Sequence, residues 1–459
     1  MSGSLTAGEL GLLRAGSDLH MNHYGGRRLP YAVLSGRGVH QRLAVVDGPD
    51  AGRVLDVMDA SGGYASACLG AGHPRIGEAL RRGVEEAGYA TDEVGSLERA
   101  RLLTELFGDD GRWSARFPGG EYHVSSRNSG SEGMELALRL MLEARFDSRT
   151  LRPAAGRAER DVILAFEGAW HGWTSGLVPL LNRRHYRVGL PVPDVAKPYG
   201  VRVEHLPFGD AEVLRDYFAE HGHRVLGVVV EPVQGDAGIL VPADGYLREL
   251  ARLCTEHGAL LTADEILTFA KSGDYFAMTD SLGPVPTDIT VIGKSIGMGA
   301  VSASLVIARR ALAVRSSGAV ATSDLRPLTC AVMREGLAVM NDDKLLAHSA
   351  GIGRRLADGL HGLVAEFPEL YREARGLAVM QGLELTEPAA RRLTDLREAV
   401  IRSGVYVEFM AGAGRRTRGL RYVFPTMRIA PPLIITEIEA SELLQRLAEG
   451  SRRFRETLG

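Results

Sequence analysis

Residues 228–266 read VVVEPVQGDAGILVPADGYLRELARLCTEHGALLTADEI. The stretch belongs to two apolar runs, VLGVVVEPV (225–233) and ALLTADEI (259–266), with the helical pattern GYLRELARLCTEHG between them. Continuous Val/Leu-rich strands joined by a helix predict a parallel pair buried on both faces. DVILAFEG (161–168) and DITVIGKS (288–295) are runs of the same kind. The middle of the chain is therefore expected to be an α/β domain built on a mostly parallel sheet.

Outward from this centre the pattern changes twice. Upstream, RLAVVDG and RVLDVMD read as short strands and GGRRLP and GPDAG as turns, while HPRIGEALRRGVEEAG has apolar residues at helical spacing and an early proline. Downstream of about residue 330 come long amphipathic helices, then RGLAVMQGLEL and MRIAPPLII as strands, then the closing helix EIEASELLQRLAEGSRRFRETL. The expected division is an N-terminal segment, 1–65, packing with the small domain, a large domain, 66–330, and a small α+β domain, 331–459.

Composition narrows the function. The 459-residue chain has a net charge of -3, so it offers no global basic field to nucleic acid. Its three cysteines, Cys68, Cys254 and Cys330, are far apart and form no CxxC pair, zinc spacing or disulfide framework. No apolar run approaches the roughly 18 residues of a membrane span, and the start has no basic-then-apolar leader pattern. A cytoplasmic protein that binds neither membrane nor nucleic acid is expected. Of 54 basic residues only four are lysine, at 197, 271, 294 and 344. Codon usage accounts for arginine on a surface. Where lysine persists, amine chemistry is a reason, since arginine does not release its proton.

Three motifs are set aside. IGKS (292–295) ends like a phosphate-binding loop, but the required first glycine falls on Asp288. GMG (297–299) does not directly link a first strand to a helix. His20 and His23, and His221 and His223, lack further ligands at metal spacing.

In open parallel sheets ligands bind beyond the carboxyl ends of the strands. Here those ends carry Glu231, Asp264 with Glu265, Lys294, and the sequence Ala169-Trp170-His171-Gly172. Upstream, Asn128-Ser129-Gly130-Ser131-Glu132-Gly133 precedes the strong helix MELALRLMLEA. A helix start with free N–H groups and hydroxyls suits a phosphate, and equally suits a plain serine N-cap. Taken together, these residues ask for a phosphate at the helix start, a ring for Trp170, an aldehyde for Lys294 and a basic ring nitrogen for Asp264. Pyridoxal phosphate has all four.

The segment 228–266 followed by DITVIGKSIG closely resembles the class III pyridoxal phosphate-dependent aminotransferases, with Glu-Pro, Asp-Glu and Gly-Lys in order and spacing. NSGSEGMELALRL, FEGAWHGW and MRIAPPLIIT extend the similarity from about residue 60 to the C-terminus. The family includes ornithine and 4-aminobutyrate aminotransferases and glutamate-1-semialdehyde aminomutase. The resemblance implies fold type I, a homodimer with shared active sites, and roles position by position. Lys294 would be the Schiff-base lysine and proton-moving base, and Asp264 the partner of the ring nitrogen. Ile266 and Trp170 would cover the two ring faces, with Glu231 beside them. Ser129, Gly130 and Ser131 would hold the phosphate, helped by Thr322 of the neighbouring subunit, and Arg428 would hold a substrate carboxylate. Each role has an alternative. Ile266 reads also as core, Trp170 as packing beside a turn residue His171, Thr322 as a turn hydroxyl, and Arg428 as half of a structural ion pair.

Four departures from the family bear on the reaction. DEILTFAKSG lacks the usual glycine. Leu267 stands where several members have a glutamine. The lysine loop GKSIGMGAVSA lacks the usual triple glycine and proline, and Leu325-Arg326-Pro327 replaces Gly-Asn-Pro. An aminotransferase moving an amino group between an amino-acid donor and a carbonyl acceptor, both small molecules, in specialised metabolism is the leading expectation. A non-transaminating enzyme on the same cofactor (aminomutase, decarboxylase, or β/γ-elimination or replacement) is the second, and a non-catalytic scaffold the third.

Overall fold

Seven strands make the central sheet: β1 (Tyr122–Arg127), β2 (Val162–Phe166), β3 (Arg202–Leu206), β4 (Val225–Val230), β5 (Leu260–Glu265), β6 (Ile289–Ile292) and β7 (Ser304–Arg309). They come from a computed structural model that describes all residues except 1–3, 24–27, 87, 92, 151, 183–199, 314–318, 415–420 and 459. In space the order is β1-β7-β6-β5-β4-β2-β3. From β6 to β3 every neighbouring pair is parallel, and β7 runs antiparallel to both β6 and β1.

The continuous apolar runs follow from two-sided burial. Every residue of β2, β4, β5 and β6 is buried. Alternate side chains go to opposite faces: Val162, Leu164 and Phe166 join the core under the Tyr246–His257 helix, and Ile163 and Ala165 join the core under the Gly130–Glu143 helix. Tyr246–His257 ends at Gly258, whose φ of 64° is the left-handed turn that glycine adopts freely. Because the strands are parallel, β1, β2, β4, β5 and β6 all finish at one edge. Residues 128–131, 169–172, 231, 264 and 294 are delivered there.

The N-terminal strands Tyr31–Arg37, His40–Val45 and Val54–Asp59 form an antiparallel sheet, and Val405–Tyr406, from the far end of the chain, pairs parallel with the last of them. Both strands read from the sequence in this region are present, and the first, Tyr31–Arg37, is additional. The GGRRLP turn lies partly outside the described residues. Helices Pro327–Asp342 and Leu345–Glu366 lead to a second antiparallel sheet, ordered Tyr371–Leu377, Met380–Leu385, Thr426–Ile429, Glu408–Met410. RGLAVMQGLEL is a hairpin rather than one strand, turning at Ala378 with φ 46°. The strand in MRIAPPLII stops at Ile429, where Pro431 and Pro432 bring no N–H to a ladder. Thr436 and Glu439 close a capping box on the last helix, Glu437–Glu456. Among the described residues no helix is long and apolar enough to cross a membrane.

Gly133, one turn into the Gly130–Glu143 helix, sets how closely that helix approaches the sheet. A Cβ there would lie 2.7 Å from Ser304 Oγ and 2.9 Å from Val291. Gly133→Ala is expected to push the helix off β6 and β7 and to destabilise the fold by about 1–3 kcal/mol, read as a lower urea midpoint.

Candidate active site

The sheet's carboxyl edge opens into a cavity of about 580 Å³. Ser129, Gly130, Ser131, Trp170, Glu231, Asp264, Ile266, Lys294 and Arg428 all line it.

Period-two alternation separates Asp264 from Glu265. Asp264 faces the cavity. Glu265 is turned the other way, where its carboxylate accepts from the N–H groups of Ala277 (3.0 Å) and Met278 (2.7 Å) and from the Thr268 hydroxyl. Asp264 Oδ2 lies 2.8 Å from His171 Nδ1, and Oδ1 accepts from the Ile266 N–H at 3.1 Å. Both side chains are buried, His171 completely. Burial alone would lower the His171 imidazole, but the hydrogen bond and charge of Asp264, with Glu231 behind them, hold it above its ordinary value. The contact with Asp264 thus favours the protonated form of the imidazole. His171 was legible only as a turn residue, and no local pattern links it to an acid 93 positions away.

Lys294 begins a 3-10 turn, Lys294–Gly297, just past β6, and takes a left-handed φ of 44°. Burial, then the Arg428 guanidinium, pushes its amine down to about 8, against the pull of Asp264, Glu231 and Glu408. Glu231 uses its carboxylate on backbone: it accepts from Trp170 N–H at 2.8 Å and Gly235 N–H at 3.1 Å. Burial raises it to about 7. It therefore fixes the loop that carries Trp170, whose ring meets Trp173 edge-on at 4.5 Å.

Ser129 caps the Gly130–Glu143 helix, its hydroxyl accepting from Glu132 N–H at 3.2 Å. The first N–H groups of a helix have no partner within it, and here that end opens on the cavity. The helix start that Ser129 caps is thus also the one that faces the cavity. Close backbone approach makes the room: a Cβ on Gly130 would come within 2.9 Å of Ile266, and one on Gly172 (φ 121°) within 2.3 Å of Ser131 Oγ. Ile266 thus sits between the helix start and Gly293, where a Cβ would reach it at 3.0 Å.

Arg428 and Glu408 are direct partners across antiparallel strands and form a buried ion pair. The Tyr64 ring stands 5.7 Å from the guanidinium, carried by a turn in which Gly62, Gly63, Tyr64 and Ala65 all have positive φ. Tyr64, Glu408, Phe409 and Met410 escaped the sequence reading, because neither the turn nor the cross-strand register has a local signature. Thr322 is exposed and does not line this cavity.

The lining fits pyridoxal phosphate: it offers a helix start for an anion, Trp170 and Ile266 for a flat ring, an acid for a ring nitrogen, and a lysine. These features define a pyridoxal phosphate enzyme of fold type I. The model of the class-III aminotransferases matches residues 37–450. Ornithine aminotransferase 2 of Staphylococcus saprophyticus subsp. saprophyticus is 30% identical over 436 residues, 93% of this chain and 96% of that protein. The mitochondrial ornithine aminotransferase of Oryza sativa subsp. japonica is 27% identical over 99% of this chain and 86% of its own length. Among solved structures, the ornithine aminotransferase of Toxoplasma gondii superposes with TM-score 0.78 at 24% identity, covering 98% of this chain and 95% of that one. An omega-transaminase from Thermomicrobium roseum gives TM-score 0.76 at 24% identity, covering 98% and 99%. The chain belongs to the class-III aminotransferase family and is a pyridoxal phosphate-dependent aminotransferase.

His171→Gln keeps polarity and removes the charge. A raised imidazole contributes stability below the unfolded value of about 6.5 and loses it as pH rises through the folded value. The urea-unfolding gap between parent and His171→Gln should be of order 1–3 kcal/mol near pH 6 and shrink toward pH 9. An equal gap at both would mean that the pair is not charged.

Proposed function

We propose that Lys294 is the working amine of this enzyme and that it serves transfer from an amino-acid donor to a carbonyl acceptor in two half-reactions. The observation that carries this reading is the convergence on one cavity of Lys294, the Asp264–His171 pair and the helix start at Ser129. Pyridoxal phosphate, when bound, supplies an aldehyde for an amine and a ring that draws electrons from a carbon losing its proton. The chain's residues divide the remaining work. Lys294, its amine pushed down to about 8, is ready to bind a carbonyl and to carry a proton to and from the substrate carbon. Asp264, held in place by His171, pairs with a ring nitrogen set against it. Ser129, Gly130 and Ser131 bind phosphate, Trp170 and Ile266 close the ring faces, and Glu231 steadies Trp170 through its N–H.

Arg428 is assigned the substrate carboxylate, which there competes with Glu408. The named activity of the Staphylococcus and Oryza relatives supports a donor with a primary amine, such as ornithine. Leu267, in the cavity wall, gives that donor an apolar contact. Thr322, exposed and outside its own cavity, is assigned to the phosphate of a second subunit, which makes the working form a homodimer. Three buried, unpaired cysteines suit a reducing compartment, the cytoplasm.

Lys294→Ala tests the central assignment. With a panel of amino donors, the parent should release the matching carbonyl product, a keto acid from an α-amine or an aldehyde from a terminal one, and pass the nitrogen to an acceptor, with alternating release. The variant should lose about 10²–10⁴-fold in turnover, measured as carbonyl product formed. Full turnover by the variant refutes the role of Lys294, and loss of the donor without either carbonyl product refutes transfer.

A further inference from the structure

A second of the four lysines in this arginine-rich chain, Lys271, touches the turn that carries Lys294. Lys344 is exposed at a helix start and Lys197 lies outside the described residues. Lys271 is different: only 1% of its surface is exposed, and among the described residues no carboxylate lies within ion-pair reach of it. A buried ammonium without a counter-ion is costly and is uncommon outside functional sites.

Its contact is specific. The loop that leaves β5 is pinned by Glu265 and brings Lys271 beneath the lysine turn, where its amine donates to Ser295 Oγ. Ser295 is the residue after Lys294. The same residue is held a second time, its carbonyl accepting from Cys68 Sγ at 3.3 Å. Between them the two contacts clamp a turn that needs holding, for Lys294 at its start and Met298 just past its end both adopt left-handed φ, 44° and 56°. Such conformations cost of order 1 kcal/mol each and persist where surroundings impose them.

We propose that Lys271 is a positioning residue for Lys294: it grips Ser295 from below and sets a second positive charge behind the working amine, so that Lys294 is both held in place and readied to give up its proton. The proposal rests on the assignment of Lys294 as the working amine. Repulsion between like charges is mutual, so each ammonium eases deprotonation of the other. The groups facing Lys271 are Cys68, Lys294 and Arg428. Those facing Lys294 are Arg428, Asp264, Glu231 and Glu408, with His171 bound to Asp264, and Lys271 as the reciprocal of the repulsion it feels from Lys294. Burial, opposed by Cys68 and assisted by Lys294 and Arg428, pushes Lys271 down to about 8, while burial pushes the Cys68 thiol up to about 11 and leaves it uncharged at neutral pH. An arginine at 271 would keep a charge at every working pH, and its planar fork would not end in the compact donor that meets a serine hydroxyl here.

The test is a lysine titration by NMR. Only four lysines are present, so full-length protein carrying carbon-13 at the lysine ε position gives a readable set of signals once freed of carbonyl ligands. Lys271→Met should raise the midpoint of Lys294 by about half a unit or more, which reduces its free amine about threefold at neutral pH. Lys271→Arg should leave that midpoint at or below the parent's. Lys294→Ala reports the same coupling from the other side, and the Lys271 midpoint should rise in it. If Lys271→Met does not fold, this reciprocal shift decides the question. Coincident midpoints, with only a lower unfolding temperature, would overturn the proposal and leave Lys271 a structural residue. Turnover of Lys294→Ala judges the identity of the working amine separately, so failure of one idea is distinguishable from failure of the other.

Discussion

Parallel register is the constraint from which the site follows. Val291 of β6 stands opposite Asp264 of β5, and Val230 of β4 stands opposite Ala263. With that ladder fixed, the first polar residues after each apolar run cannot disperse. Glu231, Asp264 and Lys294 arrive together, in a place where water is scarce and each charge needs a partner. The partners differ in kind: backbone N–H groups for Glu231, an imidazole for Asp264, and for Lys294 a surround of both signs. Burial raises Glu231 and lowers Lys294, and a lowered amine beside a fixed acid suits amino transfer.

Glycine gives the rim its closeness. Gly130, Gly172 and Gly293 occupy points where any side chain would strike Ile266 or Ser131. Ile266, Ser131 and the helix start at Gly130 are therefore packed as one body rather than set on independent loops. Precision of this sort on rigid elements is what keeps a bound group aligned with the residues that act on it.

The sheet and its helices were legible because two-sided burial leaves unbroken apolar runs, and helix ends leave glycine and proline. That Lys294 and Asp264 would share one cavity was legible because an acid and a lysine at strand ends are chemically conspicuous. Other features left no such trace. Ala378 turns a hairpin in a left-handed conformation without glycine, so 375–385 looked like one strand. His171 meets Asp264, and Arg428 meets Glu408, only through tertiary register. Ser129 carried two readings from its sequence, cap and anion site; the structure shows the cap, and the capped helix start opens on the cavity.

The segment Val405–Met410 belongs to two sheets. Val405 and Tyr406 run beside Met58 and Asp59 of the N-terminal sheet, and two residues later Glu408 stands across from Arg428 in the C-terminal one. Asp59 in turn accepts the N–H groups of Ser61 and Gly62, at the root of the turn that bears Tyr64. One short crossing thus works as a mechanical linkage between the chain's two ends. Movement of the N-terminal strands would be geared directly to the carboxylate and the phenol that flank the guanidinium, while the amine and its acid stay anchored in the sheet.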